Sequence, residues 1–176
     1  MATGFGSGLL KPAPGTWGSL AALAGWLLLT LPWASALAAR VHLHSGRSWP
    51  LAAGELLFAL LPVLMTWVGV RASDLVVRET GTKDPGWIVA DEWAGMWITL
   101  WPVRWALAEA CQARDLRGII LLLGVPFVIF RVLDITKPWF CHPLQQLPGG
   151  EGIVADDVAA GLMGIPLVLV AMAFMR

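Results

Sequence analysis

Apolar positions in this chain fall into five long runs, at about 17–39, 51–71, 88–107, 118–135 and 153–175. Each run is close to the roughly 20 residues that a helix needs to cross the hydrocarbon core of a bilayer. The segments between them, Arg40–Pro50, Ala72–Trp87, Ala108–Arg117 and Thr136–Gly152, hold most of the charge. Pro32, Pro62, Pro102, Pro126 and Pro166 lie within the runs, where membrane helices tolerate them. No repeat or low-complexity linker divides the sequence. The pattern predicts an all-α integral membrane helical bundle of four to five membrane helices, forming one domain over residues 1–176.

Two of the runs open with a flaw. The third begins Ile88-Val89-Ala90-Asp91-Glu92-Trp93-Ala94-Gly95-Met96-Trp97-Ile98, and the fifth begins Ile153-Val154-Ala155-Asp156-Asp157-Val158-Ala159-Ala160-Gly161. A carboxylate at membrane depth costs about 2.5–3.5 kcal/mol on insertion scales, so its default meaning is functional. The fourth run ends in a charged cluster, Arg131-Val132-Leu133-Asp134-Ile135-Thr136-Lys137, before Pro138. Threading the chain back and forth through a bilayer brings both doublets, this cluster and the Gly-rich entry to the first run onto one face. Lys and Arg do not orient that face. Lys11, Arg71, Arg78, Lys83, Arg131 and Lys137 stand on it, against Arg40, Arg47, Arg104, Arg114, Arg117 and Arg176 on the other, so the positive-inside bias is balanced.

Composition agrees with a membrane protein. The chain is 57% hydrophobic and 14% charged, with mean hydropathy +0.71 and 11 Trp against no Tyr; soluble domains carry about 25% charged residues. Zero net charge and the lack of a basic stripe argue against nucleic acid as a partner. No secretory signal is expected, because Met1–Gly8 has no basic segment leading into an apolar run. The two cysteines, Cys111 and Cys141, have no metal spacing. His42-x-His44 offers two ligands, fewer than a metal site needs, and reads as a solvated turn. Cys111 and Arg117 match a Cys-x5-Arg spacing, but they lack the glycines that would turn backbone N–H groups toward a phosphate, and they fall on the wrong face.

The chemistry left to explain is acidic, with two bases. Carboxylates from neighbouring helices, together with substrate phosphate, suit Mg²⁺, a hard cation that takes oxygen ligands. The alternative for either doublet is helix N-terminal capping, where negative charge is favoured. Capping explains one doublet; two, each followed by small residues that permit close helix approach, point to a site. Arg131 and Asp134, three residues apart on a helix, share a face and can simply pair. With Lys137 they can also clamp an anion, the guanidinium in a bidentate manner and the ammonium as a point charge. The Gly4–Leu20 entry offers Thr16, Ser19 and a helix N-terminus that can bind an anion; alone it is a weak signal that equally suits a flexible leader, and it lacks the Gly-Lys-Ser/Thr of a P-loop.

Taken together these blocks resemble the phosphatidylglycerophosphatase A family. The match lies in Gly8-Leu9 through Pro14-Gly15-Thr16-Trp17-Gly18-Ser19-Leu20, in Asp84 with Ile88–Ile98, in Phe130–Trp139, and in Gly149-Gly150-Glu151-Gly152 through Gly161. They come in the family's order and span nearly the whole chain. Val154 stands where the family often has Met, the Arg40–Pro50 loop is this chain's own, and Trp is unusually frequent.

The resemblance implies a Mg²⁺-dependent enzyme that removes the terminal phosphate of phosphatidylglycerophosphate. It also implies residence in the bacterial cytoplasmic (inner) membrane with the site toward the cytosol. Asp91, Glu92, Asp134, Asp156 and Asp157 are the expected metal ligands and catalytic acids. Thr16, Ser19, Asp84, Arg131 and Lys137 are the expected substrate-binding residues. Partners are then the lipid substrate and membrane lipids, with oligomeric state open. A cation- or proton-coupled transporter is the competing class, since it too uses intramembrane acids, but it calls for them near mid-bilayer. The spaced Asp, Gly and Arg residues of a CDP-alcohol phosphotransferase are not found.

Overall fold

The computed structural model describes residues 1–43, 49–138, 141 and 143–175. His44 and His142, and the side chain of His42, lie outside the described part, so the His42-x-His44 reading is not addressed. Among the described residues six α-helices follow in order: α1 Pro14–Leu43, α2 Trp49–Thr80, α3 Ala90–Leu100, α4 Arg104–Gln112, α5 Leu116–Thr136 and α6 Gly149–Phe174. Short 3₁₀ turns lie at Ser7–Leu9, Trp101–Val103 and Leu144–Gln146. No strand occurs among the described residues. The protein is an all-α membrane bundle. Among the described residues three stretches are long and apolar enough to cross a bilayer, namely Phe58–Thr80, Leu116–Thr136 and Gly149–Phe174.

Helix ends depart from the apolar runs for identifiable reasons. The second run stops at about Arg71, yet α2 continues to Thr80, because Arg71, Asp74 and Arg78 are adequate helix residues once the helix leaves the apolar layer. It stops at Gly81, whose φ of 68° places it in the left-handed region and lets its N–H bond to the Val77 carbonyl at 2.9 Å. The third run does not form one helix. Pro102 has no N–H to donate, and the chain passes through the Trp101–Val103 turn before α4 begins. Asp115 starts α5 by accepting the Gly118 N–H at 3.0 Å.

The short α3 is the centre of the bundle. Every residue in it except Asp91 is buried, as expected of a helix apolar on all sides. It packs against α1, α2, α5 and α6, and small residues set how closely. A side-chain carbon at Gly161 would fall 2.5 Å from the Gly95 carbonyl oxygen and 3.0 Å from the Gly95 Cα. One at Gly95 would strike the Phe130 ring and the Asp157 carbonyl. Backbone therefore meets backbone where α3 crosses α6, the small-residue packing common between membrane helices. Beyond the crossing, Thr99 fills the space beside Gly164 and donates to the Gly95 carbonyl at 2.9 Å. On the other flank, Trp97 Nε1 donates to the Ala22 carbonyl at 2.8 Å and ties α3 to α1. Phe130, Met96, Leu100, Leu107 and Val168 complete the core.

Both α3 and α6 start at the same end of the bundle. The opposite end is marked by a cavity lined by Glu109 of α4, Ala113 just after it, Arg117 of α5 and Met172 of α6. Gly161→Val is expected to destabilise the protein by about 1–3 kcal/mol through overpacking, lowering its thermal unfolding temperature in detergent. Gly124→Ala, where an added carbon meets nothing within 4 Å, is expected to leave that temperature unchanged or raise it.

Candidate active site

Register on the two crossing helices assembles the acids. Asp91 precedes Gly95 by four residues, and Asp157 precedes Gly161 by four. Four residues are about one helical turn. A crossing at Gly95 and Gly161 between helices running the same way therefore places Asp91 beside Asp157. Glu92 completes a triad: one carboxylate oxygen from each of Asp91, Glu92 and Asp157 lies within 4.8 Å of the others. Glu92, Asp156 and Asp157 are buried, the last at only 2% exposure. Asp91 Oδ1, Glu92 Oε2, Asp156 Oδ1 and Asp157 Oδ2 are buried without a hydrogen-bond partner. Buried carboxylates without a partner are costly, and three of these side chains are grouped so that they could hold a metal ion.

The last turn of α5 brings the bases. Arg131 Nη1 donates to Asp134 Oδ2 at 2.6 Å and to Ser19 Oγ of α1 at 3.3 Å. Ser19 in turn donates to the Gly15 carbonyl at 2.9 Å. A carbon added at Gly15 would strike Glu92 Oε1 and lie 3.2 Å and 3.4 Å from the two terminal nitrogens of Arg131. Only a residue without a side chain lets acid and guanidinium flank the start of α1. Asp134 is close enough for its charge to act on Asp157, which links the α5 pair to the triad.

Lys137 ends α5 with φ 41°, ψ 71°, a left-handed conformation uncommon for a residue with a side chain. Its N–H bonds to the Leu133 carbonyl at 2.9 Å, and its Nζ donates to Asp156 Oδ2 at 2.5 Å. Gln145 Nε2 donates to the same oxygen at 2.7 Å. Burial works against the ammonium, but the hydrogen bond and charge of Asp156, with Asp157 and Asp134 behind it, outweigh burial and push its pKa up to about 12. A raised folded-state value means that the pair's contribution to stability is complete below the ordinary lysine value of 10.5 and is lost as pH rises through about 12. At neutral pH the clamp stays charged.

Most of the residues expected from sequence meet here. Asp91, Glu92 and Asp157 form the triad, Asp134 and Arg131 adjoin it, and Ser19 braces the guanidinium. Asp156 differs from its neighbour, since one of its oxygens is taken up by Lys137 and Gln145. Thr16 is half-buried beside Gly15, with no side-chain hydrogen bond among the described residues. Asp84 is exposed in the loop before α3, close enough for its charge to act on Asp91. Gly15, Gln145 and Asp74 were not anticipated as site residues. Gly15 was visible only as part of a Gly-rich entry, and nothing marked Gln145. Asp74 accepts the Gly150 N–H at 2.6 Å and fastens the start of α6 to α2. Cys111, half-buried near the end of α4, is at the other end of the bundle from the acids.

Comparison with known proteins bears directly on this site. The Phosphatidylglycerophosphatase A family profile matches residues 1–172. The chain belongs to the phosphatidylglycerophosphatase A family. It is 36% identical over 165 residues to Phosphatidylglycerophosphatase A of Escherichia coli, covering 93% of this chain and 76% of the relative. It is 31% identical over 175 residues to the Haemophilus influenzae protein of the same name, covering 96% and 84%. A Bacteroides thetaiotaomicron protein provisionally named a phosphatidylinositol-3-phosphatase is 34% identical over 171 residues, covering 96% and 89%. No solved structure matches the chain.

The oxygens of Asp91, Glu92 and Asp157 fit a divalent cation, because they are hard donors from three side chains that lie within 4.8 Å of one another. Adding Mg²⁺ or Mn²⁺ to the detergent-purified protein is expected to raise its unfolding temperature. Asp157→Asn is expected to remove that metal-dependent rise while preserving the helical circular dichroism. An identical rise in this variant would locate the ion elsewhere.

Proposed function

We propose that this protein hydrolyses the terminal phosphomonoester of phosphatidylglycerophosphate, with Mg²⁺, to give phosphatidylglycerol and phosphate. Family membership supports a phosphatase. The observation that carries the reading is the triad Asp91–Glu92–Asp157 with its unpartnered oxygens, set beside Arg131 and Lys137 at one end of the bundle. A one-sided cluster at helix starts suits an interfacial lipid enzyme better than a transporter, which needs access from both sides.

In this reading Asp91, Glu92 and Asp157 would hold the metal, with Asp134 adjoining. Bound there, Mg²⁺ would supply Lewis-acid stabilisation of charge on the phosphoryl oxygens. Arg131 presents its free guanidinium N–H groups to the phosphate, and the contacts from Asp134 and Ser19 fix the plane of the fork. Lys137, held by Asp156, adds a second positive charge. This positioning matters because phosphoryl transfer is accelerated chiefly by orientation and electrostatics. A carboxylate of the cluster takes the proton from the attacking water, and the lipid alcohol departs toward the membrane.

The relative provisionally named for a phosphoinositide favours a second reading of the headgroup. The two readings share a lipid phosphomonoester, and side-by-side assays separate them. Phosphate release from phosphatidylglycerophosphate is expected to exceed that from phosphatidylinositol 3-phosphate, to vanish on chelation and to return with Mg²⁺. Turnover in excess chelator would refute the metal-dependent reading. Asp91→Asn is expected to lower kcat by about 10²–10⁴-fold, within the range for losing a group that acts in the transition state. Arg131→Lys is expected to raise KM even though charge is retained.

The site is further proposed to face the cytosol from the bacterial cytoplasmic membrane. Single cysteines at Thr80 and Gln146, in a background without Cys111 and Cys141, are then expected to be shielded from an impermeant thiol reagent in intact cells. A cysteine at Gln112 is expected to react. Thr80 and Gln146 reacting differently would contradict a shared face.

A further inference from the structure

An apolar groove of about 600 Å³ opens on the lipid-facing side between α2 and α6, floored by α3. Ala59, Thr66 and Trp67 line it from α2, Trp101 from the turn after α3, and Val158 and Leu162 from α6. Its one hydroxyl is satisfied, because Thr66 Oγ1 donates to the Pro62 carbonyl of its own helix at 2.9 Å. The Trp101 indole nitrogen is buried, and the exposed lining is almost wholly apolar, so the interior suits a hydrocarbon chain.

Position selects which hydrocarbon. Gly69 of α2 packs 3.3 Å from the Ala90 carbonyl and 3.5 Å from Val154, measured from a carbon built on it. Asp91 follows Ala90, and Val158 lies one turn deeper than Val154. The upper end of the groove is thus level with the acid triad, and Val158 is the chain neighbour of Asp157. Above this end, Trp67 is 58% exposed, and the Arg71 guanidinium stands 5.8 Å from its ring centroid. Arg71 is exposed, and no carboxylate pairs with it among the described residues. A Trp at the headgroup level with an Arg above it matches an anionic lipid that has its phosphate in the interface and its chain below.

We propose that this groove holds an acyl chain of the lipid substrate, with Arg71 on the phosphodiester that joins the diacylglycerol to the headgroup. The proposal rests on the phosphatase reading above and adds to it how the lipid is held. The terminal monoester reaches the triad while the inner diester stays at Arg71, so a lipid with two phosphates bridges both positions.

The test compares kcat/KM for long-chain phosphatidylglycerophosphate with that for its water-soluble deacylated counterpart. Ala59→Trp, which fills the groove, is expected to lower the long-chain to deacylated ratio by about tenfold, whereas Arg71→Gln, at an exposed position, is expected to lower kcat/KM for both substrates by about tenfold, because the deacylated compound keeps the inner phosphodiester. An unchanged ratio in Ala59→Trp, or an unchanged kcat/KM for both substrates in Arg71→Gln, overturns the proposal. A second measurement does not depend on turnover. Phosphatidylglycerol with a diazirine in its acyl chain is expected to crosslink to residues 59–67 and 158–165 of the wild type. Ala59→Trp is expected to lose the crosslink, and unlabelled phosphatidylglycerol is expected to compete better than phosphatidylcholine. Equal competition by phosphatidylcholine would mean that ordinary bulk lipid fills the groove, and it overturns the proposal. Absence of phosphatase activity in the wild type with crosslinking intact would instead count against the enzymatic reading alone.

Discussion

Backbone contact between α3 and α6 at Gly95 and Gly161 is the constraint on which the site depends. Lipid tails are as apolar as leucine, so membrane helices gain little from hiding apolar surface and associate through close packing. Two glycines facing each other permit a separation that no other pair allows. One turn nearer the membrane surface, that separation decides how far apart Asp91 and Asp157 sit. The Phe130 ring against Gly95 and Thr99 beside Gly164 hold the crossing from either side. The length of α3 follows from the same geometry: eleven residues reach from the acids past the crossing to Leu100, and the Pro102 turn then frees α4 to pack separately against α1 and α5.

Charge at this end of the bundle is out of balance by design of the packing. Asp91, Glu92, Asp134, Asp156 and Asp157 converge, and Arg131 and Lys137 are the bases joined to them by ion pairs. Each base is already matched to one acid, Arg131 to Asp134 and Lys137 to Asp156. Among the described residues the triad has no ion pair with a base of its own, and its three carboxylates are grouped closely enough to hold a metal ion. The same pairs have a second use. They fix the direction of a guanidinium and an ammonium that would otherwise swing freely, and preorganisation of this kind lowers the cost of binding an anion.

Neighbouring acids of one doublet have separate duties because adjacent helix residues point about 100° apart. Asp157 turns toward α3 and the triad. Asp156 turns toward the end of α5, where it meets Lys137 and Gln145 and where the Cys141 thiol rests on its carbonyl. The left-handed backbone of Lys137 belongs to this arrangement. Strained conformations persist where surrounding contacts over-determine them, commonly at functional sites. Here the Leu133 carbonyl and the Asp156 carboxylate secure both ends of the residue.

Much of the fold and the site was legible in the sequence, because a bilayer imposes a strict rule on every residue. Long apolar runs gave helices, acids inside them gave the candidate site, and alternation of the helices gave one shared end of the bundle for those acids. Family blocks such as Asp91-Glu92 and Asp156-Asp157 added the identity of the acids. Tertiary structure alone decided the division of labour: which acids form the triad, that Asp156 is held by Lys137 and Gln145, and that Gly15 is empty so that Glu92 and Arg131 flank it. It also decided that α2 outruns its apolar run and that the third run breaks at Pro102. Periodicity reports where side chains face along one helix. Which of them touch depends on the distance and angle between helices, and those are set by glycines whose partners lie 66 residues away in the sequence, as Gly95 and Gly161 do.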